Sequence, residues 1–324
     1  MSLKTISRDV YGFHGHAAGA DPVMSPKTID KACGESSSPA QERLGARLSI
    51  VVRVSSLLIV GGGKMGGALL GGLLRSDWAG PADVVVIEPM DERRSELAAR
   101  HPGLRTVAAP EPGLLGHDGE RLPGAVLAVK PEQAEGACRA LGVTGVTRVL
   151  SIVAGIPSGR LESALGGQPA VVRAMPNTPA LVGAGVTAIS GGSFASSHDL
   201  AWAEDVLAAV GRVVRLPERL LDAVTGLSGS GPAYFFLVAE ALVEAGVQMG
   251  LARDVSRTLV IETMLGSAAL LKETGRDPEA LRAEVTSPGG TTAAGIRTLE
   301  ARAVRSAFME AVAAATERSR NLQR

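Results

Sequence analysis

The hexapeptide Gly61-Gly62-Gly63-Lys64-Met65-Gly66 constrains this chain more than any other segment, because of what flanks it. Before it runs Leu57-Leu58-Ile59-Val60, an apolar stretch suited to a buried parallel strand, and after it comes Ala68-Leu69-Leu70, suited to a helix. Strand, glycine turn and helix in that order aim a helix N-terminus at whatever lies over the turn. Gly61 permits the tight bend, Gly63 lets main chain approach a pyrophosphate, and Gly66 lets helix and sheet pack closely. A second apolar strand, Val84-Val85-Val86-Ile87, ends in Glu88, 22 residues beyond Gly66, where a ribose-binding carboxylate is expected. The reading is a dinucleotide-binding unit, with Gly61, Gly63, Lys64, Met65, Gly66 and Glu88 as its first candidate contacts.

From Ser55 to about Pro217 short apolar strands alternate with amphipathic segments, which predicts a doubly wound parallel sheet in an α/β domain over residues 54–217. Further strands are expected at Ala125–Val129, Val149–Val153, Ala170–Ala174, Val186–Ser190 and Arg212–Leu216. Helices are expected at Asp91–Arg100, Ser158–Leu165 and His198–Val210, with Asp91 and Ser158 as N-caps. After Pro217 the strand signals fade, and Ala233–Met249, Asp254–Thr274, Pro278–Val285, Thr292–Ala301 and Val304–Arg320 read as helices of a second unit, residues 218–324. Gly231-Pro232 suits the first turn of the first of these. Residues 1–53 sustain no period and are expected to be a disordered extension.

Ala233–Met249 and Asp254–Thr274 carry more apolar surface than a helical piece of this size can hide, so a partner subunit is expected to cover part of it. The expectation is a homodimer, with larger assemblies of dimers left open. Zero formal net charge and 3% aromatic residues argue against a nucleic-acid groove and base-stacking platforms, and point to a small-molecule partner. Cys33 and Cys138 are far apart in sequence and differ in setting, which favours a reducing compartment over a disulfide framework. The best apolar stretches are interrupted by Arg53, Glu240, Glu244 and Glu262 before reaching the roughly 18 to 20 residues a membrane span needs, and the N-terminus lacks a signal core. A soluble cytoplasmic protein without membrane contact is expected.

Over 220 residues downstream of Gly61 stands Thr286-Ser287-Pro288-Gly289-Gly290-Thr291-Thr292, an uncharged, hydroxyl-rich loop between two helical stretches. Such a loop can hold a small anion with main-chain amides and hydroxyls, because the glycines allow close approach and the next helix presents its positive end. The alternative, a plain turn with Thr291 as N-cap, stays open on spacing alone. The histidines are at positions 14, 16, 101, 117 and 198, so the helical half has none. Reduction of a ketone needs a general acid, usually His or Lys, and that half offers only Lys272, in a helix-end context. A protonated C=N bond already carries its proton and its electrophilicity. A hydroxyl that orients the nitrogen suffices, and Ser287, Thr291 and Thr292 can supply one.

The segment Glu284-Val285-Thr286-Ser287-Pro288-Gly289-Gly290-Thr291-Thr292-Ala293-Ala294-Gly295-Ile296-Arg297-Thr298-Leu299-Glu300 resembles the signature of pyrroline-5-carboxylate reductases, which make proline from a cyclic imine. The Gly61–Gly66 loop, Ala128-Val129-Lys130-Pro131, Arg173-Ala174-Met175-Pro176-Asn177-Thr178-Pro179 and Leu227-Ser228-Gly229-Ser230-Gly231-Pro232-Ala233-Tyr234 resemble the same family, in its order, over about 55–320. The resemblance implies a Rossmann-type domain followed by an all-helical dimerisation domain. It further implies that Val285 and the loop from Ser287 to Thr292 contact substrate, with Gly289, Gly290 and Thr291 on its carboxylate and Thr292 toward the ring nitrogen as the catalytic group. Ala128, Lys130 and Pro131 would line the cofactor crevice, Met175, Pro176, Asn177 and Thr178 would flank the nicotinamide, and Ala154 and Gly155 would lie close to the dinucleotide. The family leans to NADPH. Glu88 would repel a 2′-phosphate and favour NADH, whereas Arg93 and Arg94 can neutralise that phosphate. Two rival readings are a β-hydroxyacid dehydrogenase, which would need Lys272 at the nicotinamide, and a dinucleotide-sensing dimer, which would have no need of the loop.

Overall fold

The computed structural model describes residues 57–115, 124–167 and 169–322. The expected extension at 1–53, and Cys33 with it, lies outside the described residues. In chain order the sheet unit contains β1 (Leu57–Val60), α1 (Lys64–Arg75), β2 (Val84–Ile87), α2 (Asp91–Arg100), β3 (Arg105–Val107), β4 (Gly124–Leu127), α3 (Ala134–Leu141), β5 (Arg148–Ser151), α4 (Ser158–Ala164), β6 (Ala170–Met175), β7 (Gly185–Gly191), α5 (Ser197–Ala208) and β8 (Gly211–Arg215). The helices that follow are α6 (Leu221–Val224), α7 (Gly231–Gln248), α8 (Arg253–Thr274), α9 (Pro278–Glu284), α10 (Thr291–Ala301) and α11 (Val304–Asn321).

The strands form one sheet in the order β3-β2-β1-β4-β5-β6-β7-β8. Period-two alternation sorts β1 between two cores: Leu57 and Ile59 pack with Leu69, Leu70, Leu73, Val206 and Leu207 of α1 and α5, while Leu58 and Val60 pack with Cys138, Leu141 and Leu161 of α3 and α4. Every residue of β1, β2, β4 and β5 is buried, as helices on both faces require. Full burial of one such aliphatic side chain stabilises by roughly 1.5–3 kcal/mol.

The all-parallel expectation holds through β6 and then fails. β7 runs antiparallel to β6, with Val172 opposite Gly191, and β8 runs parallel to β7. The reason is connection length: only a short turn over Thr178–Val182 joins β6 to β7, too little chain for a crossover, whereas α5 carries β7 over to a parallel β8. β3, short and partly exposed, is an additional edge strand that the apolar pattern does not mark. Asp91 and Ser158 are the first helical residues rather than caps; Met90 and Pro157 occupy the cap positions.

The helical part begins as one continuous helical run from Glu218 to Gln248, with a π-helical segment at Thr225–Gly229 between α6 and α7. α6 and the π-helical segment pack against α11, and α7 packs along α8. This 31-residue run overturns the expectation of no membrane-length apolar stretch: it is long and apolar enough to span by length and composition, with 17% of its most apolar window buried. Phe235, Phe236, Leu237, Met249 and Leu265 stand exposed on α7, its C-terminal end and α8, Met249 by 81%. Glu240 and Glu244 interrupt the same stretch.

Candidate active site

The C-terminal ends of β1, β2 and β4 open into a cleft of about 850 Å³, at the point where the strand order reverses. Its lining includes Gly61, Gly63, Glu88, Arg93, Ala128 and Lys130. The glycine turn is shaped for main-chain proximity. Gly61 has φ +103°, and a Cβ there would lie 2.6 Å from the Ala128 carbonyl oxygen. A Cβ on Gly66 would lie 2.0 Å from the Gly61 carbonyl oxygen. Gly63, by contrast, meets nothing closer than an Arg93 guanidinium nitrogen at 3.8 Å. It caps α1 without a side-chain hydrogen bond, leaving first-turn amides for an anion. Two glycines close the fold and the third leaves room for a ligand, which is the fit a dinucleotide needs.

Glu88 sits in the cleft wall, yet its carboxylate is turned to the main chain. Oε2 accepts from the Gly62 N–H at 2.9 Å and Oε1 from the Met90 N–H at 3.0 Å, and the residue is 7% exposed. The arginines divide the same way. Arg94 donates to the Glu88 and Pro89 carbonyls and pairs with Asp91, whereas Arg93, half-buried over Gly63, has no ion pair among the described residues.

The other expected cofactor residues scatter. Pro131 opens a single turn just past Lys130. Lys64 lines a neighbouring cleft, and Met65 packs against the core. Ala154, Gly155 and Met175–Thr178 do not line the large cleft, and two of them face the helical part: a Cβ on Gly155 would meet Leu322 at 3.4 Å, and the Met175 methyl lies 2.6 Å from where a Gly229 Cβ would be. Pro176 is buried, the Asn177 side-chain oxygen accepts from the Val186 N–H at 3.0 Å, and Thr178 begins the turn to β7.

The hydroxyl-rich loop joins α9 to α10. Val285 is exposed, Thr286 donates its hydroxyl to the Arg282 carbonyl, and Gly289 has φ +71°. The Gly290 N–H donates to the Ser287 carbonyl at 3.0 Å, so that amide is engaged within the turn. Gly290, not Thr291, is the cap of α10, and no side chain caps the helix. The free donors are therefore the first amides of α10, from Thr291 and Thr292. Thr292 lines an apolar groove of about 740 Å³ with Gln248, Met249, Ile296 and Leu299. Among the described residues none lines both this groove and the cofactor cleft.

One group gave no sequence signal. Glu218 accepts from the Ser158 N–H at 2.8 Å, the Ser158 hydroxyl at 2.6 Å and Arg173 at 2.8 Å, pinning α4 and β6 to the start of the helical part. Burial alone would raise its pKa, but the hydrogen bonds from Arg173 and Ser158 outweigh that and hold it below the ordinary carboxylate value. A lowered folded value stabilises above the unfolded pKa of about 4.5 and loses that contribution as pH falls through the folded value. Glu218→Ala is expected to cost about 2 kcal/mol in urea unfolding at pH 7, because Arg173 is left buried and unpaired, and less at pH 3. An equal loss at both pH values would contradict the role of the charge.

Cleft, glycine turn and hydroxyl-bearing helix start define a nicotinamide-dinucleotide oxidoreductase whose helical half contains no histidine. Residues 218–322 match the family model for pyrroline-5-carboxylate reductase dimerisation, and residues 56–155 match that for NADP oxidoreductase, coenzyme F420-dependent. A pyrroline-5-carboxylate reductase of Synechocystis is 42% identical over 265 residues, covering 82% of this chain and 97% of the relative. One from Mycobacterium tuberculosis is 43% identical over 295 residues, covering 83% and 97%. The solved pyrroline-5-carboxylate reductase of Coxiella burnetii superposes with a TM-score of 0.76 at 34% identity, covering 84% of this chain and 99% of that one. The Plasmodium falciparum pyrroline carboxylate reductase, solved with NADP bound, superposes with a TM-score of 0.72 at 30% identity, covering 84% and 99%. The chain belongs to the pyrroline-5-carboxylate reductase family, NAD(P)H-dependent oxidoreductases that reduce an imine to proline.

Proposed function

We propose that this chain reduces L-1-pyrroline-5-carboxylate to L-proline with the first turn of α10 as its substrate-binding element. The observation that carries the assignment is a helix start with two threonines and no side-chain cap, in a half of the chain without histidine. The Thr291 and Thr292 amides, with Gly289 beside them, hold the substrate carboxylate at the positive end of α10. The Thr292 hydroxyl orients the ring nitrogen. Val285 and Ser287 shape the remaining wall. The bound nicotinamide supplies hydride; the protein's share is to position a C=N bond that already carries its proton and to exclude water.

Residues 54–217 act as the cofactor domain and 218–324 as the helical substrate and dimerisation domain. The exposed apolar residues of α7 and α8 form a homodimer contact in this reading, and the enzyme works in the cytoplasm. NADPH is the preferred donor, supported by the Glu88 carboxylate being held by two main-chain amides and by Arg93 beside Gly63, which has no ion pair among the described residues. Spectrophotometric oxidation of NADPH and of NADH, with the imine supplied, tests the assignment. Turnover with a kcat/KM at least about 10-fold higher for NADPH is expected. No imine-dependent oxidation of either coenzyme would overturn it, and a preference for NADH would return Glu88 to the ribose.

A further inference from the structure

The helical run from Glu218 to Gln248 changes register once. At Thr225–Gly229 it widens to a π-helix, closed by the Ser230 N–H donating to the Thr225 carbonyl at 2.8 Å. Single π-helical turns inside α-helices recur at functional sites. This one is held from two sides. The Tyr234 hydroxyl donates to the Gly226 carbonyl at 3.0 Å, and Gly226 lies so close to α11 that a Cβ there would meet the Val312 carbonyl oxygen at 2.7 Å. The third side of the turn is Gly229. Its φ is not positive, and glycine is disfavoured inside a helix relative to alanine, so the backbone itself does not call for glycine here. What takes the place of a side chain is Met175: its methyl lies 2.6 Å from where the Cβ would be, and the next nearest atom is 3.8 Å away.

Met175 ends β6, and the alternation of the strand puts it on the same face as Arg173. Both side chains reach the one helical run, Arg173 at Glu218 and Met175 at Gly229. Past Met175 the chain is fixed again by the Asn177 side-chain oxygen, which accepts from the Val186 N–H at 3.0 Å. β1, β4, β5 and β6 run parallel, so their C-terminal ends share one edge of the sheet. β6 stands two strand spacings, about 10 Å, beyond β4. A dinucleotide laid across the switch point puts its adenosine half over β1 and β2 and its nicotinamide half over the strands on the other side. We propose that the π-helical turn seats Met175 against the nicotinamide, with Gly229 as the positioning residue that admits its methyl group. The inference rests on the coenzyme placement read from the Gly61–Gly66 turn, and not on the imine as substrate.

Two probes with the same adenosine end isolate the ring: NADPH, titrated through its own fluorescence, and 2′-phospho-ADP-ribose, which lacks the nicotinamide, titrated by calorimetry. The proteins compared are full-length wild type, Gly229→Ala, Met175→Val and the double variant. The new methyl of Gly229→Ala meets only a movable side-chain end, so the variant folds while Met175 is driven from its seat. NADPH is expected to bind at least about 5-fold more weakly to Gly229→Ala, with the emission of the bound ring shifted, while 2′-phospho-ADP-ribose stays within about 2-fold of wild type. Valine at position 175 is too short to reach the new methyl, so in that background Gly229→Ala changes NADPH affinity by less than about 2-fold. A glycine with a merely structural role does not produce this non-additivity. Both probes weakened alike in Gly229→Ala, an equal loss in the Met175→Val background, or NADPH binding unchanged in both single variants overturns the proposal. If Gly229→Ala does not fold, Met175→Val decides alone: it weakens NADPH and spares 2′-phospho-ADP-ribose, or the seat has no bearing on the ring. These readouts are binding measurements, so a failed imine assay would leave them intact, and their failure would leave the reductase assignment intact.

Discussion

Gly66→Ala is expected to lower the melting temperature by on the order of 10 °C, while Gly63→Ala leaves it within about 2 °C of wild type and still weakens NADPH binding at least 10-fold. The two glycines stand three residues apart in one turn and do different work. A Cβ on Gly66 would fall 2.0 Å from the Gly61 carbonyl oxygen, a main-chain atom that cannot swing aside, so α1 must separate from β1. That overlap is of the class that costs roughly 3 kcal/mol. Gly63 has φ −68°, a value any residue adopts, and open space on its Cβ side apart from the movable end of Arg93. Alanine fits there in the free protein and obstructs only what lies over the turn, which is where a pyrophosphate belongs. Thermal unfolding and a titration of NADPH fluorescence read the two effects separately. If Gly63→Ala binds NADPH like wild type, the coenzyme does not approach main chain at that position.

What the sequence disclosed about this fold follows what each feature depends on. β1, β2 and the helix ends depend on local period and on glycine or proline, so Leu57–Val60, Asp91–Arg100 and the end of α8 at Thr274 come out as expected. The reversal at β7 depends on how little chain lies between Met175 and Gly185, a length that the alternating pattern does not weigh. Side-chain partners are less legible still. The apolar run marks Glu88 as the end of β2, but its capture by the Gly62 and Met90 amides depends on the path of the turn. Glu218 stands 45 residues from Arg173 and 60 from Ser158, and nothing local marks it as their shared acceptor. The hydroxyl-rich loop is legible in its composition. That Gly290 bonds back to Ser287, leaving the α10 amides as the free donors, depends on the path of the turn and not on its composition.

Thr292→Ala should lower kcat by roughly 10- to 100-fold, about 1.4–2.7 kcal/mol of barrier, with Thr292→Ser recovering most of it. The size follows from the loss of one neutral hydrogen bond that orients the imine nitrogen, with no proton transfer at stake. Thr292 stands in the first turn of α10 and lines the groove with Gln248 and Met249, while its amide remains available when the side chain is cut back to alanine. Carboxylate binding should therefore survive, and KM should change far less than kcat. Lys272, in the last turn of α8, is the control: Lys272→Ala should leave turnover within about 2-fold, because a cation there complements the helix end and takes no part in chemistry. Steady-state kinetics of the three variants decide between the readings. Unchanged turnover in Thr292→Ala would remove that hydroxyl from the mechanism, and a collapse in Lys272→Ala would restore the general-acid chemistry of a β-hydroxyacid dehydrogenase.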